Sequence, residues 1–215
     1  MKPLLIYCYD AYCGWCYAFS PIILEIQDRF QNDFDFEVLS GGMILPATPR
    51  PISVIADFML SRSAEIEATT GVNFGADFLW HLKNPELSDW YPDSLKPAVA
   101  LAIIKTDFPE KQLAFATDLG YALNAEGRDL CDDEAYRHLL VDYEIPEEHF
   151  YKNLRNQDFI KLAQQDFETV KQLRISGYPA LLVQANEKKI IRLFEGYRTF
   201  EETENVLLEL LKTIK

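Results

Sequence analysis

The hydrophobic pattern at the start of the chain predicts a strand, a helix and a second strand. Residues 3–9 form a short apolar run, and residues 34–40 alternate apolar and polar side chains as a half-buried strand does. Between these two segments, apolar side chains recur at helical spacing. This strand–helix–strand order predicts a sheet with a crossover connection. The helix positions are Trp15, Phe19, Ile22, Ile23, Ile26 and Phe30.

The middle of the chain, residues 50–173, shows helical spacing and no convincing strand pattern. Its helical segments open at a proline or at a short polar side chain, both of which suit the first turn of a helix. We therefore predict that this part is entirely helical. The predicted helix starts lie near Pro51, Ser94, Pro109, Asp132, Pro146 and Asn156.

After residue 173 the pattern returns to mixed α/β. Residues 180–184 and 189–195 read as two strands, and residues 185–188 between them read as a turn. Residues 200–214 form an amphipathic pattern typical of a closing helix. A hairpin followed by a helix would complete the sheet that the first strands begin.

Composition and charge narrow the classes of partner. Hydrophobic residues make up 48% and charged residues 26% of the 215 positions, which is typical of a folded globular protein. With 34 acidic and 21 basic side chains the net charge is −13, so the protein repels phosphate backbones and anionic lipid surfaces. We expect no nucleic-acid partner and no membrane partner. Oligomeric state is not predicted.

The cellular compartment is predicted from the N-terminal residues. The apolar run after Met1 is too short for a secretory signal and lacks a small-residue cleavage site, and no run has the length of a membrane span. We therefore expect a cytoplasmic protein, in which cysteines are kept reduced and a structural disulfide is not expected.

Two of the chain's four cysteines, Cys13 and Cys16, have a spacing that implies chemistry. They follow the first predicted strand and lie in the first turn of the first predicted helix. The unpaired amides and positive dipole end of a helix N-terminus stabilise a thiolate over a thiol. Cys13 is therefore expected to be the exposed nucleophile, and Cys16 the more buried thiol that resolves a mixed disulfide.

A zinc site is the alternative explanation of this cysteine pair, and it would require two further ligands at compatible spacing. The three histidines, His81, His138 and His149, are isolated in the sequence. We therefore predict no metal site.

The other two cysteines are not predicted to react. Cys8 lies within the first predicted strand, where a cysteine is usually a buried apolar residue. Cys131 precedes Asp132 and Asp133, and we expect their negative charges to disfavour its thiolate.

Residues 10–21, Asp-Ala-Tyr-Cys-Gly-Trp-Cys-Tyr-Ala-Phe-Ser-Pro, resemble the active-site segment of the DsbA family and especially its cytoplasmic FrnE-like branch. Pro21 is similar to the proline that bends the first helix of thioredoxins. The resemblance implies an α/β thioredoxin-like fold with an all-helical insertion. Residues 1–49 and 174–215 would form the thioredoxin-like domain, and residues 50–173 the insertion.

A second resemblance lies near the C-terminus. Residues 175–180, Ile-Ser-Gly-Tyr-Pro-Ala, are similar to the family's loop that ends in a cis-proline facing the active-site cysteines. The resemblance implies that Pro179 is cis, that it takes part in catalysis, and that Tyr178 contacts the bound substrate. A trans proline that opens a strand is the alternative, since only about 5–6% of X–Pro bonds are cis.

Further residues around the cysteines have two possible roles each. Asp10 could relay a proton to Cys16 or could form a turn by accepting backbone hydrogen bonds. Thioredoxins usually carry a buried acid six residues before the first cysteine, where this chain has Tyr7, so their proton relay does not transfer directly. Trp15 lies inside the motif and is predicted to contact substrate.

Four aromatic residues of the predicted insertion also allow two interpretations. They could form the floor of a peptide groove beside the cysteines, or they could be ordinary core and loop residues, since aromatic side chains dominate protein cores. The four are Phe78, Trp80, Trp90 and Tyr91.

Three functions compete for this sequence. The leading hypothesis is a thiol–disulfide oxidoreductase or isomerase that acts on protein or peptide thiols and disulfides, without a bound cofactor and with glutathione as a possible co-substrate. Kappa-class glutathione transferases and hydroxychromene carboxylate isomerases use a similar scaffold, but they do not need a resolving thiol such as Cys16. A non-enzymatic peptide-binding module would not depend on Cys13.

Trp15, one of the two residues between the cysteines, allows a prediction of the redox potential. Trp15 brings no positive charge, whereas the strongly oxidising periplasmic relatives carry a histidine between their cysteines. A less stabilised thiolate makes the reduced form less favoured. We therefore expect a more reducing couple than theirs when the equilibrium constant with glutathione is measured, and an equally oxidising potential would contradict this.

Overall fold

The computed structural model describes residues 2–186 and 189–214. Its first elements are the predicted strand, helix and strand: β1 (Leu4–Tyr9), α1 (Gly14–Phe30) and β2 (Asp35–Ser40). The two strands are parallel, in a register that begins with Leu4 opposite Asp35. A parallel pair needs a crossover, and α1 provides it.

Two C-terminal strands complete a mixed four-stranded sheet. β3 (Ala180–Asn186) pairs antiparallel with β1, and β4 (Lys189–Glu195) pairs antiparallel with β3, which gives the order β2-β1-β3-β4. Helix α9 (Phe200–Ile214) follows. The carboxyl end of β1 therefore lies beside the start of β3, because Cys8 pairs with Ala180.

The hairpin differs from the sequence prediction in one respect. β3 was predicted to end at residue 184, but it extends to Asn186, which pairs with Lys189. This cross-strand pairing overrides the local preference of residues 185 and 186 for a turn. Residues 187 and 188 of the predicted turn lie outside the described residues.

Between β2 and β3, where every residue is described, the regular structure is helical and no strand occurs. Ser94, Pro146 and Asn156 precede helices directly, as predicted. The predicted starts near Pro51, Pro109 and Asp132 instead open short 3-10 turns that lead into helices. The helices are α2 (Ala56–Thr70), α3 (Ala76–Lys83), α4 (Leu95–Asp107), α5 (Gln112–Asn124), α6 (Arg137–Asp142), α7 (Glu147–Asn153) and α8 (Gln157–Gln172).

The sheet is covered on both faces, and alternate residues of β1 supply the two faces. Tyr7 and Tyr9 point into a large core that α1 and α5 share. Ile6 and Cys8 point to the opposite face, where a smaller cluster includes Val170 of α8. The helical segment therefore contributes to both sides of the sheet.

Helix α1 is the central element of the larger core. It packs against α9 and α5, and its residues Phe19, Ile23 and Ile26 are fully buried. Pro21 lies inside it, as predicted. Among residues 2–186 and 189–214, no helix is both long enough and apolar enough to span a membrane.

Removing a large side chain from α1 should destabilise the whole protein. We expect Phe19→Ala to lower the free energy of unfolding by about 3–5 kcal/mol, because the ring is fully buried and its loss leaves a cavity. Urea denaturation measures this change. Leu87→Ala is the control, since Leu87 is 75% exposed and its removal should cost no more than about 0.5 kcal/mol; equal losses would contradict the packing.

Candidate active site

The two cysteines of the motif lie where β1 passes into α1. Cys13 is the N-cap residue of α1, and its backbone is still extended. Its N–H donates to the carbonyl of Asp10 at 3.0 Å, which closes the turn after β1, while its own carbonyl accepts from the N–H groups of Cys16 and Tyr17. Both sulfurs therefore belong to the first turn of the helix, as the sequence predicted.

The sulfurs differ in burial and in environment. Cys13 is 7% exposed and Cys16 is 3% exposed, so the expectation of an exposed Cys13 is wrong, because other parts of the chain cover it. The two thiols are free. Burial raises the pKa of Cys16 well above its usual value, and hydrogen bonding to Cys13 and the charge of Cys13 raise it further. Cys16 is therefore a thiol at neutral pH.

Tyr7 occupies the position where thioredoxins have their buried acid. It lies in β1, is fully buried, and its hydroxyl is a hydrogen-bond partner of the Cys16 thiol. Burial is the largest cause that raises the pKa of Tyr7, and the neighbouring Cys16 and Cys13 add to it. A neutral phenol at this place can donate a hydrogen bond to sulfur, but it is not a carboxylate base.

The Asp10 carboxylate is buried in the turn before Cys13. It accepts hydrogen bonds from the N–H of Tyr12 at 3.0 Å, the N–H of Met43 at 2.7 Å and the hydroxyl of Ser94 at 3.0 Å, and Gly42 supplies a further backbone N–H. These bonds match the turn-forming role that the sequence allowed. The role of Asp10 as a proton relay stays a prediction.

Burial nevertheless raises the pKa of Asp10, since desolvation outweighs these four hydrogen bonds. A carboxyl whose pKa is higher in the folded state ionises more easily when unfolded. Its contribution to stability is therefore complete below the unfolded pKa and declines as the pH rises towards the folded pKa.

The loop before β3 faces Cys13, because β3 is the strand next to β1. The Tyr178–Pro179 peptide bond is cis, and the thiol of Cys13 lies 3.6 Å from the carbonyl oxygen of Tyr178. The Tyr178 hydroxyl donates to the carbonyl of Gly41 at 3.0 Å. A Cβ atom at position 41 would lie 2.3 Å from the Tyr178 ring, so only glycine allows this close approach.

A cavity of about 430 Å³ opens beside Cys13. Trp15 and Tyr178 line it together with Cys13, and Trp15 also packs against the ring of Tyr197 at 5.9 Å between centroids. Among the described lining residues the one charged side chain is Arg62. The apolar lining comes mainly from residues between β2 and β3: Met43, Ile44, Ile55, Phe58, Met59, Ile66, Phe74 and Phe78.

Sequence reasoning did not identify most of these lining residues. Helical spacing shows which positions of α2 are apolar, but it does not show which of them face Cys13. Of the four aromatic residues considered as a groove floor, only Phe78 lines this cavity. Trp90 is buried and stacks on His81 at 4.0 Å, whereas Trp80 and Tyr91 are exposed elsewhere. The four-residue groove floor was therefore wrong.

The remaining cysteines lie outside the cavity lining. Cys8 is fully buried, and burial raises its pKa to about 12. Burial is the largest cause that raises the pKa of Cys131, and the carboxylates of Asp129 and Asp93 add to the shift. Negative charge thus disfavours the Cys131 thiolate as expected, but the expectation named the wrong carboxylates, since folding brings Asp129 and Asp93 close to the thiol.

The three histidines each have a polar partner in the structure. His81 lies 2.8 Å from the Ser88 hydroxyl, while His138 and His149 pair with the carboxylates of Glu126 and Asp107 at 3.1 and 2.7 Å. Within the described part of the chain, no group of three or more His, Cys, Asp or Glu side chains is arranged to hold a metal ion.

Limited alkylation should distinguish the two thiols. With iodoacetamide near pH 7 we expect Cys13 to be labelled first and Cys16 roughly tenfold more slowly or less, because burial keeps Cys16 protonated. Labelling of Cys16 should continue to rise as the pH is increased above the usual thiol range. Mass spectrometry of the labelled peptides measures both rates, and Cys13→Ser should remove the fast phase. Equal rates at Cys13 and Cys16 would contradict the assignment.

Comparison with known proteins identifies the fold. No protein-family model matches the sequence, and no curated protein matches it. Among solved structures, a "putative protein disulfide isomerase" from Nitrosomonas europaea is 24% identical, with a TM-score of 0.85 over 99% of both chains. The cytosolic disulfide reductase DsbM from Pseudomonas aeruginosa is 20% identical, with a TM-score of 0.79 over 99% of this chain and 100% of that chain. DsbM has also been solved with GSH.

A more distant structure extends the same comparison. The oxidoreductase NmDsbA1 from N. meningitidis is 11% identical, with a TM-score of 0.59 over 99% of this chain and 83% of that chain. These matches cover both the sheet and the helices between β2 and β3. The chain therefore has the fold of the DsbA-like oxidoreductases, an α/β thioredoxin-like fold with a helical insertion.

Proposed function

We propose that this protein is a thiol–disulfide oxidoreductase or isomerase in which Cys13 attacks and Cys16 resolves. One observation carries the proposal: Cys13 is the N-cap of α1, with its sulfur 3.6 Å from the carbonyl of Tyr178 and the Cys16 thiol in the same helical turn. The unpaired amides and the positive dipole end of a helix lie at its N-terminus, where Cys13 is placed. The loop that ends in Pro179 is close enough to hold a substrate against it.

The first step breaks the substrate disulfide. The Cys13 thiolate attacks one substrate sulfur, so that a bond forms between Cys13 and this sulfur, and the other substrate sulfur leaves as a thiolate that takes up a proton. The attacking group reacts as a thiolate, whereas burial keeps Cys16 protonated during this step.

The second step releases the substrate. Cys16 loses its proton and attacks the sulfur of Cys13, which forms the Cys13–Cys16 disulfide and expels the second substrate thiolate, to which the proton passes. The substrate has then gained two electrons and one proton from the enzyme, and a second proton from water. If a different substrate thiolate first attacks the substrate sulfur bound to Cys13, a new substrate disulfide forms and Cys13 leaves as a thiolate, so that the substrate is isomerised and the enzyme stays reduced.

We assign proton relay to Asp10 in the second step. Its raised pKa makes the carboxyl a better proton acceptor than an ordinary aspartate. The backbone N–H of Asp10 donates a hydrogen bond to the Cys16 sulfur, which brings the two residues next to each other. The Asp10 carboxyl, buried in the turn before Cys13, would then accept the proton of Cys16.

The proposed substrates are protein or peptide thiols and disulfides, with glutathione as a possible co-substrate and no bound cofactor. The cavity beside Cys13 can accept part of such a substrate, and we assign Trp15 and Tyr178 to substrate contact because both line it. The similar DsbM structure with GSH supports glutathione, and its description as cytosolic supports a cytoplasmic location. No nucleic-acid or membrane partner is proposed.

Removal of the resolving thiol tests this function. With insulin as the disulfide substrate and glutathione as the reductant, we expect the native protein to turn over and Cys16→Ser to stall as a mixed disulfide through Cys13. Mass spectrometry of the intact protein detects the adduct. Cys131→Ser is the matched control, since its thiol is outside the cavity beside Cys13, and it should turn over normally.

Two other outcomes would replace the proposal. If Cys16→Ala keeps full activity in glutathione conjugation, the protein is a glutathione transferase or isomerase of the kappa-class type. If Cys16→Ser traps no adduct while Cys13→Ser still binds unfolded peptide, the protein is a binding module.

A further inference from the structure

Glu195, at the end of β4, is adjacent to the loop that faces Cys13. It pairs with Ala180 across the hairpin, and the next residue, Gly196, donates its N–H to the carbonyl of Pro179 at 2.8 Å. The end of β4 is therefore held directly against the start of β3. This position allows the Glu195 side chain to reach the residues before Pro179.

One carboxylate oxygen of Glu195 binds this loop three times. Its Oε2 atom accepts from the N–H of Ser176 at 3.1 Å, from the hydroxyl of Ser176 at 3.0 Å and from the N–H of Gly177 at 3.0 Å. Hydrogen bonds to an ionised acceptor are stronger than those between neutral groups. Two successive backbone amides are thereby fixed to the sheet.

The other oxygen of Glu195 is held by an arginine. Oε1 lies 2.7 Å from Nη1 of Arg192, and Nη2 of Arg192 donates to the carbonyls of Leu173 and Arg174 at 2.7 and 3.1 Å. The arginine thus links Glu195 to the chain that leaves α8. The two hydrogen bonds of Arg192 join β4 to the segment that enters the loop, and the ion pair within β4 keeps Arg192 beside Glu195.

These contacts determine where the Tyr178 carbonyl points. On one side of the Tyr178 carbonyl, the N–H groups of Ser176 and Gly177 donate to Glu195. On the other side, the Tyr178 hydroxyl donates to the carbonyl of Gly41. The loop is therefore fixed on both sides of the backbone group that faces the Cys13 sulfur. An extended substrate chain that pairs with this loop meets a preformed edge.

We propose that Glu195 is a positioning residue for disulfide exchange, which fixes the Ser176–Tyr178 backbone so that a peptide substrate can pair with it beside Cys13. The proposal rests on the proposed function of Cys13. Glu195 acts through the loop and does not contact the reacting sulfurs. Its loss should therefore affect the binding of peptide substrates more than the chemistry of Cys13 itself.

Amide hydrogen exchange tests the loop independently of any activity. In Glu195→Ala we expect the amides of Ser176 and Gly177 to exchange at least about tenfold faster, because they lose their acceptor. Glu204→Ala is the matched control, because Glu204 lies on α9 and pairs with Arg29 of α1 at 3.2 Å. This substitution should leave the exchange of both amides unchanged. Unchanged exchange at both amides in Glu195→Ala would overturn the proposal even if the enzyme is active.

Steady-state kinetics test the consequence for substrate. We expect Glu195→Ala to raise KM for a peptide disulfide roughly fivefold, with kcat changed less than KM and the alkylation rate of Cys13 by iodoacetamide within about twofold of the native value. Glu195→Gln keeps the side-chain size and one acceptor, so we expect a smaller rise in KM. If KM is unchanged in both variants, the proposed positioning role of Glu195 is overturned. If Glu195→Ala does not fold, an unchanged KM in Glu195→Gln overturns the role by itself.

The failure of the proposed function gives a different result. In that case the native protein itself does not turn over the peptide disulfide, whereas the hydrogen-exchange comparison still shows whether Glu195 holds the loop.

Discussion

The buried carboxylate of Asp10 is the interaction on which the position of both sulfurs depends. It joins the turn after β1 to the segment around Met43 and, through the hydroxyl of Ser94, to the start of α4. Because its hydrogen-bond donors come from three separate parts of the chain, the turn cannot shift without losing several bonds at once. Cys13 follows this turn directly and begins α1.

Burial then gives the two thiols different environments. Cys16 points into the core beside Tyr7, and desolvation keeps it protonated. Cys13 lies at the helix N-terminus and lines the cavity. A phenol replaces the buried acid of thioredoxins at this place, so the group that touches the Cys16 sulfur donates a hydrogen bond and does not act as a base. The asymmetry between the two thiols thus arises from packing.

The residues between β2 and β3 supply the apolar wall of the cavity beside Cys13, which the sheet and α1 do not form. The sheet brings the loop before β3 to within 3.6 Å of Cys13, but the apolar wall opposite comes from α2, α3 and the residues around them. On the other side, the charged pair of Arg192 and Glu195 fixes the loop from β4. The cavity beside Cys13 therefore lies between three parts of the chain that are distant in sequence.

The sequence by itself determined those features that short-range physics decides. Strand and helix periodicity predicted β1, α1 and β2, helix-start residues predicted where α4, α7 and α8 begin, and the spacing of Cys13 and Cys16 placed both in the first turn of α1. These features depend on contacts within a few residues, so the local pattern contains them. The short α3 was not predicted, because its N-cap is Gly75 without a capping side chain.

Only the tertiary structure decided how distant segments meet. The burial of Cys13, the donors around Asp10, the wall of the cavity and the three hydrogen bonds of Glu195 all join residues that lie far apart along the chain. Likewise β3 extends to Asn186 because β4 pairs with it. A pattern in one segment specifies which face is apolar, but the partner of that face is set by the packing of the whole chain, since burial and hydrogen bonding depend on what lies opposite.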